Sequence, residues 1–494
     1  STGGDFVRNI NTPLELIGLG KPLEKVYDIL VLGKSSADEA DRISKTAGKM
    51  MGMAQEFISG SSPTDLTTLA SNLRGEIAPI NQNLGLIQAQ VLGISTFPGF
   101  PIDKLKKYID KIPTARKYLS GVESVLSVLP QNAPSEGKKV YLVVFQNSAE
   151  LRATGGFIGS YGIINFDQGK LINWQIYDIY SADGQLKGQI APPDEILHYA
   201  GQPSWFMRDA NWSPDWPLTA KRLEWFLEKE TGQKVDGVIG VSLGAVSKLL
   251  QATGPLTLTD LNDTVSADNF FQKAEYSAEI NFFPGSTQKK DYLGAVAKAL
   301  FEKITQGTDN DPSKLGQAII GSLEQKDIIF YFNSDVAQTV FSQNGWAGEI
   351  APQNCQDKGD NCISIIDSNL GSNKANYFVT KNVQVASAIS KAGDIDTTIT
   401  INYKNSSPSD TWPGGRYKNY LRILVPQGSK MTSFSICDNR TPWVTPILTE
   451  KELAKVTMQQ FLVFQTAEEG YNSYGALMEV PIQSTRKVTF TFRH

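Results

Sequence analysis

The apolar residues of this chain change their period twice, and that change limits its fold more than any other feature. From about residue 13 to 130 they recur at three- and four-residue steps. In "SSADEADRISKTAGKMMGMAQEFISG", Ala40, Ile43, Ala47, Met50, Ala54 and Phe57 fall on one helical face, with Ser36 as N-cap and Gly60 as stop. A second such run is capped at Ser62 or Thr64, and a third spans about Ile102 to Val128. Helices of this kind bury one stripe against each other, which predicts a helical bundle or stalk over 1–130.

"LPQNAPSEGKK" (129–139) is a linker by composition, and the pattern after it alternates between strand and helix. "KVYLVVFQ" reads as a buried strand, and "GGFIGSYGIINF" with "KLINWQIYDIY" as a hairpin. "PLTAKRLEWFLEKETG" is an amphipathic helix, "VDGVIGVS" a short apolar strand and "LGAVSKLLQATG" a helix. Strand "PLTLTD", helices near 266–278, 287–306 and 313–325, and strand "KDIIFYF" continue the series. An α/β domain with a mixed sheet over 139–370 follows. From about Asn376 the period becomes two, in segments separated by turn residues, which predicts a β-sandwich over 376–494. The expected class is therefore multidomain α/β + β, and 494 residues are too many for one core.

The bulk numbers narrow function mainly by exclusion. A net charge of −4 with 20% charged residues gives no electrostatic reason to expect nucleic acid as partner. No apolar run is long enough to span a bilayer. Ser1 in place of Met reads as a processed or excised form, which leaves room for a signal peptide or membrane anchor upstream; the last strand likewise leaves room for more chain downstream. Two histidines, His198 and His494, rule out a His-rich zinc site. A Ser-His-Asp system would have to rest on His198, with no Gly-x-Ser-x-Gly elbow beside it. Cys355 and Cys362 flank the turn-forming "QDKGDN", so a disulfide between them is expected, and with it an oxidising, extracytoplasmic location; the other reading is two surface thiols.

Two stretches carry the candidate site. In "ELRATGGFIG", Gly155 and Gly156 allow close backbone approach to a ligand, and Arg152 offers a fork to phosphate or carboxylate; the alternative is a structural arginine at a bulge. In "RDANWSPDWP", Ser213 or Asp215 caps the following helix, which accounts for Asp215 and the prolines. It does not account for Arg208, Asp209 and Asn211. Beside Trp205, Trp212 and Trp216 these suit an amphiphile's polar head or a sugar face. "TDNDPS" reads as a helix cap, His198 as structural, and "DSNLGSNKANY" as an interdomain corner. In that corner Asp367, Asn369 and Lys374 are the residues that would complete a site facing the join.

"FQNSAELRATGGFIGSYGIINFDQGK", followed by "RDANWSPDWPLTAKRLEWFLEKETGQKVDGVIGVSLGAVSKLLQATGPLTL" and then "NGWAGEI", "SIIDSNLGSNKANYFV" and "RYKNYLRILVP", resembles the bacterial family called domain of unknown function 4012. The resemblance covers roughly 140–430. It implies a secreted or membrane-anchored envelope protein and supplies no activity. The α/β layout also resembles the LytR-CpsA-Psr enzymes, which transfer lipid-linked glycopolymers to the cell wall. That likeness implies Arg152 and Arg208 on a polyprenyl diphosphate, Asp178 assisting the attacking hydroxyl, and Asp209 or Asp215 on Mg²⁺. Gly155, Gly156, Asn211, Trp212 and Trp216 would then line the ligand. The chain departs from that family: "ATGG" follows Arg152 where a hydroxyl residue and an aspartate are usual, and no Pro-Arg-Asp triplet ends "INWQIYDIY". Two functions follow as expectations. One is an envelope protein whose α/β domain binds a polyprenyl-phosphate or glycan ligand, with a degenerate phosphotransferase as its catalytic version. The other is a non-catalytic subunit of a surface layer or filament, whose partners are copies of itself.

Overall fold

A computed structural model describes residues 66–94, 110–132, 137–167, 170–279, 288–306, 311–350, 362–437, 442–444, 447–448, 463–468 and 470–493, with scattered helical positions between 34 and 49. It divides into two compact units, one of residues 1–139, 165–173 and 301–320, the other of 140–164, 174–300 and 321–494. In the first, α1 (Leu66–Ile94) and α2 (Ile112–Asn132) pack along a seam. Ala70, Leu73 and Ile77 of α1, spaced at three and four residues, bury against Leu126, with Leu119 and Val122 beside it. The caps expected at Ser36, Gly60, Ser62 and Thr64 lie outside the described residues, as does the chain near Ile102.

The second unit holds the α/β part and the C-terminal strands. Its elements begin with β1 (Lys138–Asn147), β2 (Phe157–Asp167), β3 (Lys170–Asp178), α3 (Ile179–Asp183) and α4 (Asp194–Tyr199). There follow α5 (Trp216–Thr231), β4 (Gly237–Ser242), α6 (Leu243–Thr253), β5 (Leu256–Leu258), β6 (Asp263–Val265) and α7 (Phe270–Glu279). Then come α8 (Gln288–Gln306), whose residues from Phe301 on belong to the first unit, α9 (Pro312–Glu324), which belongs to the first unit as far as Ile320, β7 (Ile328–Phe332) and α10 (Asp335–Gln343). The sheet order is β3-β2-β1-β4-β7. β1 and β4 run parallel, from Tyr141 beside Gly237 to Gln146 beside Ser242, while β4 and β7 are antiparallel, so the sheet is mixed as the alternation predicts. Leu142 and Val144 of β1, Val238 of β4 and Ile329 of β7 share a core with Trp216, Leu223 and Phe226 of α5. α5 shows why its sequence is helical: Asp215 caps it through the Leu218 N–H, Pro217 sits in its first turn, and Gly232 ends it at φ 75°.

The C-terminal strands are β8 (Ser364–Asn369), β9 (Val379–Ile389), β10 (Ile395–Asn405), β11 (Tyr417–Pro426) and β12 (Lys430–Cys437). They continue with β13 (Pro442–Val444), β14 (Ile447–Leu448), β15 (Val463–Glu468), β16 (Tyr471–Val480) and β17 (Ser484–Arg493). They form two sheets, β13-β12-β17-β10-β9 and β14-β15-β16-β11-β8. The alternating Ile399, Ile401 and Tyr403 of β10 and Phe490 and Phe492 of β17 meet Leu421, Ile423 and Val425 of β11 in one core. β8 falls inside the range expected for the α/β domain, yet it hydrogen bonds antiparallel to β11. Its turn-rich tail "DSNLGS" hides a strand that only a distant partner completes.

Candidate functional site

"RDANWSPDWP" is built into the protein from both ends. Asp215 commits both oxygens to backbone, Oδ1 accepting the Leu218 N–H at 3.1 Å and Oδ2 the Ile350 N–H at 3.3 Å. Burial raises its pKa, and those two N–H groups work against the rise. Trp212 stacks on Tyr420 with ring centroids 5.6 Å apart, and its carbonyl accepts a 2.7 Å bond from Arg422 of β11. Asn211 is wholly buried; its Nδ2 donates to Gln146 Oε1 at 3.1 Å and to the Gly156 carbonyl at 2.8 Å. Thr154 Oγ1 donates to the same Gln146 oxygen at 2.8 Å. The polar residues ahead of the helix cap therefore have structural partners that the sequence could not display, although Asn211 Oδ1 is buried without one among the described residues.

Arg152 and Arg208 belong to one alternating ionic chain. Lys374 meets Glu150 at 2.6 Å, Glu150 meets Arg152 at 3.1 Å, and Asp209 bridges Arg152 and Arg208 at 3.4 Å each. Arg208 ends it on Asp183 at 2.7 Å, with a further bond to Gln202 at 3.2 Å and its guanidinium 4.3 Å from the centre of the Phe206 ring. Arg152 also donates to the Asn369 carbonyl at 2.5 Å, so the chain ties the α/β part to the C-terminal sheets. Burial works to raise the pKa of Glu150, but the Arg152 and Lys374 charges outweigh it and hold the carboxyl below its ordinary range. At the other end burial wins: Asp183 is pushed up to about 6 despite Arg208. Glu230, buried and further raised by Asp183, reaches about 8. Among the described residues, Asp183 Oδ1 and Glu230 Oε2 are buried with no hydrogen-bond partner, the state a protonated carboxyl tolerates best.

Asp178 caps α3, its Oδ1 accepting the Tyr180 N–H at 3.3 Å. Gly155 sits at φ 139°, and a Cβ on Gly156 would lie 2.1 Å from the Asn147 carbonyl oxygen, so this pair makes a turn closed to any side chain. Asp209 and Asp215, the aspartates the resemblance assigns to Mg²⁺, do not fit that ion: guanidinium groups take the oxygens of one and backbone N–H groups those of the other. Among the described residues no group of three or more His, Cys, Asp or Glu is placed to hold a metal ion.

What the sequence did not foretell is a crevice of about 390 Å³ at the carboxyl ends of β1 and β4. In an open α/β sheet that is where ligands bind. Arg152, Thr154 and Gly155 line it from the β1–β2 loop, Trp216 and Ser242 from the starts of α5 and α6. Lys326 and Asp327 lie before β7, while Ile365, Ile366 and Asp367 come from β8 and Lys381 from β9. Asp367 is held by Tyr403 at 2.6 Å, Asn419 at 2.7 Å and Lys381 at 2.5 Å. Of the ligand-side residues expected from sequence, only Arg152, Gly155 and Trp216 reach this wall. Asp367 joins them from the turn-rich corner.

Ser242 corrects one reading. Gly240-Val241-Ser242-Leu243-Gly244 is a Gly-x-Ser-x-Gly run between a strand and a helix, far along the chain from His198. Its geometry is that of a cap. The Ser242 backbone is extended at φ −87°, ψ 163°, without the strain of a nucleophile elbow, and its Oγ accepts the Gly244 and Ala245 N–H groups. It donates to Asp327 Oδ1 at 2.5 Å, and Asp327 is ion-paired with Lys248. A Cβ on Gly244 would come 2.6 Å from that carboxylate oxygen, which explains the second glycine. His198 is exposed near the end of α4, and Asp311 caps α9 as expected, its Oδ1 accepting the Lys314 N–H at 3.4 Å; Asp309 and Asn310 lie outside the described residues. Cys355, and with it the expected bridge to Cys362, also lies outside them; Cys437 is a free thiol.

Fold and crevice together define an α/β protein with a mixed sheet, joined to antiparallel C-terminal sheets, and with a ligand-sized opening at its parallel strand pair. Residues 136–278 match the family model described as "Protein of unknown function (DUF4012)", the family the sequence resembles. The LytR-CpsA-Psr likeness finds no confirmation in the comparisons. Among solved structures, the chain is similar to the X-ray structure of Lin1025 protein from Listeria innocua, at 13% identity and a TM-score of 0.22, over 43% of this chain and 100% of that one. A score that low carries no weight here. No curated protein matches. No helix among the described residues is long and apolar enough to cross a membrane.

Proposed function

We propose that this is a non-catalytic, extracytoplasmic binding protein. Its β1/β4 crevice takes the polar end of an envelope ligand, either a polyprenyl-phosphate headgroup or a glycan. The crevice carries the reading: its volume of about 390 Å³ is that of a small-ligand site. Its wall sets Lys326 and Lys381, the carboxylates of Asp327 and Asp367 and the hydroxyls of Thr154 and Ser242 beside Ile329, Ile365, Ile366 and Trp216. Cations and hydroxyls beside apolar side chains suit a phosphate or sugar attached to a hydrocarbon. Turnover is disfavoured by the partners of Arg152, Arg208, Asp209 and Asp215, since each group assigned to diphosphate or metal already holds a protein group. Calorimetric titration with geranyl diphosphate and, separately, chitotetraose tests the proposal. Saturable binding of either, lost in Ile366→Trp, supports it and distinguishes the two ligand classes. Equal binding by wild type and Ile366→Trp, or no binding of either probe, refutes it.

A further inference from the structure

β9 is an edge strand of unusual openness. It lies at the end of its sheet, and among the described residues no strand pairs with its outer side. It runs eleven residues, Val379–Ile389, in unbroken register with β10 and without proline, glycine or bulge. Its core-facing row is Val379, Lys381, Val383, Val385, Ser387 and Ile389, set opposite the buried Ile399, Ile401 and Tyr403. That row nevertheless emerges from the core: Val383 is 37%, Val385 54% and Ile389 74% exposed. Natural edges are blunted by charges, prolines or bulges. Here the one charge, Lys381, is turned onto Asp367 at 2.5 Å and its ammonium is neutralised there.

The strand is complementary to itself. Laid antiparallel to a second copy with Gln384 opposite Gln384, it sets Val383 against Val385, Val379 against Ile389, Lys381 against Ser387, Asn382 against Ala386 and Thr380 against Ala388. Apolar residues meet apolar ones, the only cations face a neutral hydroxyl, and two amides that can bond each other stand at the axis. Eleven paired residues supply about ten main-chain hydrogen bonds, as many as a full protein interface carries. We propose that a second copy of this chain pairs its β9 with this one antiparallel, about a two-fold axis at Gln384, giving one sheet continuous across two protomers. The inference does not depend on the crevice.

Sedimentation velocity of the full chain tests it, because the axis places residue 384 of each copy directly opposite its twin. Wild type is expected to dimerise with rising concentration. Gln384→Lys and Gln384→Glu are each expected to weaken the dimer at least tenfold, and an equimolar mixture of the two is expected to restore it. Gln384 is exposed, so both variants are expected to fold, which circular dichroism checks. Wild type that stays monomeric up to about 100 µM, which puts any dissociation constant above that range, overturns the proposal. So does a dimer that both single variants leave intact, or a mixture no tighter than either variant alone.

Discussion

Replacing Arg208 by methionine removes the last cation of the buried ionic chain while keeping most of the side chain's apolar volume. Asp183, buried and already lacking a partner for Oδ1, then loses its 2.7 Å guanidinium contact. Breaking one side of a buried ion pair costs about 3–5 kcal/mol. Protonation of Asp183 caps that loss. With its pKa already about 6, the orphaned carboxyl takes up a proton readily, so the cost is largest at pH 8 and shrinks toward about 1–2 kcal/mol at pH 5. Asp183→Asn in the same chain removes the stranded charge, and the double variant should recover part of the loss, with a coupling energy of about 1.5–3 kcal/mol at pH 8. Urea denaturation followed by tryptophan fluorescence reads this directly, since the Trp205 indole donates to the Asp209 carbonyl at 2.9 Å. A structural role for Arg208 is refuted if Arg208→Met lies within about 0.5 kcal/mol of wild type at pH 8, the range of an ordinary surface change, or if the two substitutions are additive.

Other outcomes follow from the same geometry. Glu230 has its folded pKa raised to about 8, so between pH 4.5 and 8 the native state binds more protons than the unfolded one. Stability should therefore fall as pH rises through that window, by up to about 1.4 kcal/mol per pH unit for one such proton, and Glu230→Gln should flatten the profile measured by thermal melts. Gly156→Ala should prevent folding or leave an insoluble product, because its Cβ would overlap the Asn147 carbonyl; a soluble variant of native melting temperature would contradict the turn described. Ser242→Ala should cost about 0.5–2 kcal/mol as a lost cap. Wild type should not react with a fluorophosphonate serine probe, and stoichiometric labelling at Ser242 would mean that it is a nucleophile. Intact mass after alkylation without reductant should show one blocked pair, mapping to Cys355 and Cys362; two alkylated thiols there would remove the ground for an oxidising compartment.

The elements with local causes were legible in the sequence. α5 announces itself through Asp215, Pro217 and Gly232, and β10 through strict alternation, because capping and pleating act over a few residues. The missing parts depend on residues far apart in the chain. β8 becomes a strand because β11 pairs with it, and Lys381 lines the crevice only because β9 carries it there. Arg208, Asp209 and Asn211 looked like ligand residues because the groups that occupy them, Asp183, Arg152 and Gln146, lie 25, 57 and 65 positions away. A buried polar residue with a distant partner and one awaiting a ligand look the same in a sequence.

The claim that the crevice, and not the "RDAN" stretch, is the binding site is tested most directly by a crystal structure of the protein grown with geranyl diphosphate or chitotetraose. The account predicts ligand density between Lys326, Lys381 and Ile366, with the pairs from Lys374 through Asp209 to Asp183 intact. Density against Arg208 and Asp209, with those pairs opened, would contradict it.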